Sequence, residues 1–426
     1  MIKEIQKRPF VRPLFIWITG IVLQSFVSLG LYSLLLLLFP AVVLLISYLF
    51  SSRYHTEPVY GGRWVWGMAF ISLLLFLSVQ MTAYHENKAA RTSPTRLQVW
   101  TKAMQQRLVE PFDTLSLTDS EKSVLAAITL GERQSMPKVV RTQFSVTGVA
   151  HLLSVSGFHV AIVCSFLSLV LSFFCRGRIG KWVKYVLMIV LLWIFTAITG
   201  LAASSVRAAV MLMLYLTGRQ LSYMTDGYNT LAASAFCMLV YNPFYLFDIG
   251  FQLSYMAVWS ILFLQPRLNH LLVVKNPLLS APWGCITVTL AAQAGVTFLC
   301  LYYFGYFSVV FLFTNLPLTF IATLLIPMAL FWVFLPPGFF LSTWLQFCIE
   351  KLTHSMMWIV EAFSRIPGST VPFHFSFVMM LVSYLSLSLS FIYFINKRPR
   401  LLIGSLFLLS IVLFLMLIDK YLHIQI

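Results

Sequence analysis

Acidic residues are scarce in this chain: 13 Asp and Glu stand against 29 Lys and Arg in 426 residues, and the four types together make up only 10% of the sequence. Water-soluble domains carry about 25% charged and about 45–50% apolar residues. Here 60% are hydrophobic and mean hydropathy is +0.88, which excludes a set of soluble domains. The apolar runs do not alternate with polar residues as barrel strands do, so a closed β-barrel is excluded too. Cysteine occurs six times, at 164, 175, 237, 285, 300 and 348, never as CxxC and mostly within apolar runs. Neither a disulfide framework nor a zinc site follows from that spacing. There is no tandem repeat, no low-complexity segment and no HxHxDH pattern. The apolar stretch behind the basic Ile2–Pro13 outruns the roughly 7–15 residues of a signal-peptide core, so the first segment is expected to stay as an anchor.

What the chain has in quantity is apolar length. Val22–Phe50, Val65–Val79, Trp182–Thr199, Trp283–Leu301 and Leu401–Ile418 meet or approach the roughly 20 residues that cross about 30 Å of hydrocarbon as a helix. The expected class is all-α: a polytopic membrane protein of roughly 10 to 12 transmembrane helices plus amphipathic interfacial helices. Leu14–Phe50 is long enough for a helical hairpin turning near Gly30. Phe307–Leu335, interrupted by Pro317 and Pro327, reads as one kinked helix or two half-helices, and Leu341–Ile366 as an interfacial helix.

Basic residues orient the chain. Lys3, Lys7, Arg8 and Arg12 place the amino terminus in the cytoplasm, as do Arg53 and Arg63 for the loop Ser51–Arg63 and Arg176, Arg178, Lys181 and Lys184 for a later one. The formal net charge of +16 has two readings, basic cytoplasmic loops or attraction of a polyanion such as nucleic acid. Residues 82–147 form the one long hydrophilic stretch, expected outside. Leu97, Trp100, Met104 and Leu108 recur there at helical spacing, and Thr118 with Glu121 reads as a capping box. Three segments result: membrane helices over 1–81, an external amphipathic segment over 82–147 and a membrane domain over 148–426.

Polar residues in apolar helices are costly and mark candidate sites. His151-Leu-Leu-Ser154-Val-Ser156-Gly157-Phe-His159 is the densest such group. On a straight helix the two histidines lie about 80° apart and the two serines about 160°, so a single polar stripe requires a bend or unwinding at Gly157. The bland alternative is that the serines bond back to carbonyls and the histidines to neighbouring helices. Next, Gly200 opens a run of mostly small residues that ends at Arg207. A guanidinium at that depth needs a partner, with Asp248, Asp226 or a transported anion as candidates. Finally, Asn242-Pro243 begins a turn into a helix carrying Asp248, Gly250, Phe251, Gln252 and Ser254, where Asp248 suits a cap and Gln252 lies a turn deeper.

Taken with Gly131-Glu-Arg133 and Tyr228-Asn229 followed by Leu-Ala-Ala, these stretches resemble, in order and spacing over about residues 95–400, the membrane domain of the ComEC family of competence proteins. The resemblance implies a multi-pass channel of the bacterial inner (cytoplasmic) membrane that imports single-stranded DNA during natural transformation, with no catalytic residues, metal or cofactor of its own. It places His151, Ser154, Ser156, Gly157, His159, Arg207, Asp248, Gln252 and Ser254 along the DNA pathway. Gly131, Gly200, Asn242, Pro243, Gly250 and Phe251 stand at structural motif positions. The implied partners are the lipid bilayer, a separate nuclease, a DNA receptor and a cytoplasmic helicase. The family's external OB-fold and metallo-β-lactamase-like domains have no counterpart in the sequence, where Met81–Arg96 passes straight to the amphipathic segment. Two alternatives stand beside the channel: a membrane-embedded hydrolase or metal-dependent enzyme using His151, His159 and Asp248, and a non-transporting membrane partner protein.

Overall fold

The computed structural model describes residues 8–36, 38, 41–43, 45, 48, 63–88, 96–175, 177–221, 226–272, 274, 276–336, 338–373 and 375–424. Fifteen α-helices are named here: α1 (Val11–Val27), α2 (Arg63–Lys88), α3 (Arg96–Val109), α4 (Asp119–Leu130), α5 (Lys138–Val146), α6 (Gly157–Phe174), α7 (Gly177–Ile198), α8 (Ala203–Gln220), α9 (Gly227–Tyr241), α10 (Ile249–Asn269), α11 (Pro277–Phe304), α12 (Phe311–Val333), α13 (Phe340–Ser364), α14 (Phe377–Asn396) and α15 (Pro399–Ile424). Strands β1 (Tyr306–Ser308) and β2 (Thr370–Pro372) add a small antiparallel ribbon. The protein is therefore all-α, as its composition requires, because a helix satisfies its backbone internally where no water can.

Among the described residues seven helices are long and apolar enough to cross a membrane: α2, α6, α7, α11, α12, α14 and α15. The 17-residue α1 is a shorter apolar helix. The expected hairpin turn near Gly30 coincides with a left-handed Ser28 and a 3₁₀ turn over Gly30–Leu34. The predicted loop over 51–63 lies outside the described residues except at its last position.

Contacts divide the chain into two units. The first comprises residues 1–101, 167–197 and 203–255. In it α1 packs on α2 and α9 around Trp17, Ile21, Leu74, Met238, Leu239 and Phe251. Small residues permit the approach of α1 and α2: a β-carbon at Gly20 would stand 2.7 Å from the Ser78 side chain, whose hydroxyl donates to the Trp17 carbonyl at 2.6 Å.

The second unit comprises residues 102–166, 198–202 and 256–426. Its helix α4 begins as the sequence predicts: the Thr118 hydroxyl accepts from the Glu121 N–H, and the Glu121 carboxylate accepts from the Thr118 N–H at 2.9 Å. From Val124 to Leu130 α4 is buried, packed on α12 and α13. Helix α12 passes through both Pro317 and Pro327 as one helix, which settles the two readings of that stretch. A spanning helix tolerates proline where neighbours satisfy the freed carbonyls. Helix α13 is two-faced, with Leu345, Ile349, Met356 and Val360 buried and Phe340, Trp344, Phe347 and Trp358 exposed, the pattern of an interfacial helix.

The expected amphipathic helix forms as α3, with the apolar Leu97, Trp100 and Met104 exposed while Thr101 and Gln105 are buried. Hydrogen bonds explain it, since Gln105 Nε2 donates to the Leu130 carbonyl at 2.6 Å. A polar side chain aimed at an unsatisfied helix-end carbonyl belongs inside, and the apolar stripe is left for an apolar surrounding.

Candidate polar sites in the two units

In the second unit the chain enters α6 through irregular backbone. A 3₁₀ turn covers Ala150–Leu153, Ser154 is extended, and α6 begins at Gly157. The required unwinding is real, but it precedes Gly157, so Ser154 and Ser156 are not on a helix at all. The Ser154 hydroxyl donates to the His151 carbonyl at 3.1 Å. His159 Nδ1 accepts from the Ser156 N–H at 3.2 Å and lies 2.9 Å from the Ser156 hydroxyl. An imidazole three residues into the helix thus serves the N-cap N–H as glutamate does in a capping box. Because a backbone N–H can only donate, Nδ1 carries the lone pair and a neutral ring bears its proton on Nε2. His159 is 0% exposed, and Nε2 has no hydrogen-bond partner of normal geometry. His151 keeps an exposed face. Desolvation nevertheless holds its pKa below the ordinary imidazole value, only partly offset by a hydrogen bond at the Gly148 backbone.

Two glycines frame this segment. Gly131 closes α4 at φ 79°, and a β-carbon there would stand 3.1 Å from Val155 Cγ2. Gly200, at φ 73°, turns the chain between α7 and α8, and a β-carbon there would meet Gln105 Oε1 at 3.2 Å. Gln105 is therefore held between both motif glycines, a role that no signal in its polar helix surroundings announces. Arg133 joins the same neighbourhood, its Nε donating to the Leu153 carbonyl at 2.7 Å.

In the first unit Arg207 lies in the second turn of α8 with its side chain 4% exposed. Its Nη1 stands 3.6 Å from Asp248 Oδ1, while its Nε is buried without a hydrogen bond. Of the three candidate partners, Asp226 is engaged by Arg8, which also lies over the Tyr228 ring. Asp248 is an N-cap as well, accepting from the Phe251 N–H at 2.7 Å. Asn242 accepts from the Phe244 N–H at 3.0 Å and starts the 3₁₀ turn that follows, with Pro243 buried at its first position. Gly250 leaves room for the pair: a β-carbon would stand 3.0 Å from Arg207 Nη2 and 3.1 Å from Asp248 Oδ1. Phe251 is buried against Tyr255, ring centroids 4.3 Å apart. Gln252 donates to the Leu246 carbonyl at 3.0 Å and so braces the turn, and Ser254 is half-buried in the next turn.

The nine pathway candidates thus form two groups, His151 to His159 in one unit and Arg207 to Ser254 in the other. Among the described residues no three His, Cys, Asp or Glu side chains gather closely enough to hold a metal ion.

Apolar helices of spanning length together with buried polar groups in them define a multi-pass membrane protein. The competence protein family matches residues 128–398, and the chain belongs to it. The ComE operon protein 3 of Bacillus subtilis (strain 168) is 31% identical over 202 residues, covering 47% of this chain and 24% of that protein. The Uncharacterized protein YcaI of Escherichia coli (strain K12) is 28% identical over 153 residues, 33% of this chain and 19% of that protein. The chain therefore spans about a quarter and a fifth of these two relatives. No solved structure matches.

Proposed function

We propose that this chain carries single-stranded DNA across the bacterial cytoplasmic membrane during competence, with Arg207 contacting the phosphate backbone of the passing strand. The observation that supports this most is the state of Arg207: a buried guanidinium, with one donor unspent and its acid at 3.6 Å. Membership of the competence family sets the biological context.

A buried guanidinium is costly unless its charge and donors are met, so a chain keeps one where it has work to do. Conduction needs attraction strong enough to admit a charge and weak enough to release it. Arg207 meets both demands. Asp248 offsets part of its charge and is itself committed to capping α10, which leaves the guanidinium able to exchange a carboxylate for a phosphate and back. In this reading a receptor delivers DNA from outside, a nuclease removes the second strand and a helicase draws the first one in.

The test is DNA uptake in a transformable host carrying Arg207→Gln at normal protein level. Uptake is expected to fall at least tenfold, and unchanged uptake would refute the reading.

A further inference from the structure

Arg133 and Arg141 are held together without an acid. Arg133 leaves the turn behind Gly131, and its Nε is anchored on the Leu153 carbonyl at 2.7 Å, between His151 and Ser154. Arg141, exposed on α5 beside the buried Val140 and Phe144, donates from Nη2 to the Arg133 carbonyl at 3.3 Å. Both side chains are exposed. Arginine has five N–H donors, so one backbone anchor each fixes the guanidinium planes and leaves most donors free.

Among the described residues no acid pairs with either of them. The ion pairs among the described residues are Arg8–Asp226, Arg207–Asp248, His354–Glu121 and Arg365–Glu361. The adjacent Glu132 is turned onto the Gln134 N–H and the Ser135 hydroxyl, at 2.6 and 2.5 Å. Burial, and then the neighbouring Arg141 charge, lower the Arg133 pKa, so repulsion between the two is felt and not repaid within the protein. Two neighbouring guanidiniums, each with one backbone anchor and further donors free, are suited to a phosphodiester, which they engage through paired N–H···O bonds.

The side of the membrane follows from charge. In the sequence α6 is followed by Arg176, Arg178, Lys181 and Lys184, the cytoplasmic mark, so its His151 end faces outward.

We infer that Arg133 and Arg141 form an external phosphodiester-binding site that seizes the DNA strand before it enters the membrane. The inference rests on the import reading for its ligand. An anionic lipid headgroup offers the same chemistry, and the test separates the two sources.

The full chain in phosphatidylcholine nanodiscs, with and without phosphatidylglycerol, is titrated with a fluorescent single-stranded oligonucleotide over a range of salt. Arg133→Gln/Arg141→Gln is expected to weaken binding at least tenfold in both lipids and to flatten the salt slope by about 0.7, for the one phosphate no longer neutralised. Arg133→Lys/Arg141→Lys, which keeps the charge but loses the paired bonds, is expected to bind between wild type and the double glutamine variant, and unchanged unfolding temperatures of both variants exclude a folding defect as the cause. Lys102→Gln/Arg107→Gln, a charge-matched change on α3, is expected to stay within twofold. Equal binding by the double glutamine variant and this control overturns the site. So does an effect confined to phosphatidylglycerol discs, which assigns the pair to lipid, and so does a wild type that binds no oligonucleotide. Import into proteoliposomes is measured in parallel. Arginine-dependent binding without import refutes the transport reading and leaves the site standing, whereas import with arginine-independent binding does the reverse.

Discussion

Arg207 Nη1 and Asp248 Oδ1 stand 3.6 Å apart, inside the reach of strong Coulomb attraction and outside that of a hydrogen bond. The carboxylate oxygen that faces the guanidinium already accepts from the Phe251 N–H at 2.7 Å. One acid therefore caps a helix and tempers a buried cation at once, and the two duties are separable by substitution.

Asp248→Asn keeps an N-cap acceptor and removes the charge, while Asp248→Ala removes both. Asparagine caps about as well as aspartate, and losing a cap costs about 1 kcal/mol. Thermal unfolding in detergent is expected to rank wild type above Asp248→Asn and that above Asp248→Ala, the last two differing by about 1 kcal/mol. Equal unfolding of the two variants would show that the cap contributes nothing.

Gly250→Ala places a methyl group 3.0 Å from Arg207 Nη2, tight enough to push the guanidinium by a few tenths of an ångström. DNA uptake by this variant is expected to fall as it does in Arg207→Gln, at matched protein level. Gly67→Ala in α2, where a β-carbon meets nothing within 4 Å, is the matching control and is expected to leave uptake intact. If Gly250→Ala takes up DNA normally, the position of Arg207 does not matter.

Gly200 and Gln105 define a third test. Alanine at Gly200 has to hold φ 73° and also presses on Gln105 Oε1 at 3.2 Å. A left-handed non-glycine residue costs of order 1 kcal/mol, and loss of the Gln105 bond to the Leu130 carbonyl leaves a buried acceptor unpaired at about 1–3 kcal/mol. Gly200→Ala and Gln105→Leu are each expected to lower the unfolding temperature. Combining Gly200→Ala with Gln105→Ala is expected to cost less than the sum of the two single changes, because the steric part disappears; strict additivity would contradict the contact.

The pH dependence of this unit has a definite sign. Burial alone pushes the Glu121 carboxyl up, but the Thr118 N–H, His354 and the Thr118 hydroxyl together outweigh it and hold the pKa below 4.5. A carboxylate depressed in the folded state adds stability above its unfolded pKa and loses it as pH falls through the folded one. Unfolding temperature is therefore expected to drop on acidification below about pH 4.5, with a smaller drop in Glu121→Gln. Parallel curves for the two proteins would exclude Glu121 as a source.

The fold was largely legible because bilayer thickness leaves apolar runs few options, and local chemistry confirmed details: Thr118 caps α4 with Glu121, and Gly200 makes its turn. The sites were legible as costs rather than as geometry. Polar residues at 151–159 and at 207 announce themselves by hydropathy, yet nothing in the pattern tells that α6 starts only at Gly157 or that His159 serves as its N-terminal acceptor. Partner choice was hidden for the same reason. Asp226 and Asp248 are equivalent as candidates for Arg207 until the chain brings Arg8 to the first of them. The spacing of Leu97, Trp100 and Met104 announced the amphipathic α3, but not that Gln105 on its polar side would be buried against the end of α4.

Whether the protein conducts DNA is decided by entry of a fluorescent single-stranded oligonucleotide into proteoliposomes holding the purified chain, scored by resistance to added nuclease. The account predicts protected oligonucleotide in wild-type vesicles and at least tenfold less with Arg207→Gln at equal protein. Protection no greater than in protein-free vesicles, or equal protection in both proteins, would contradict it.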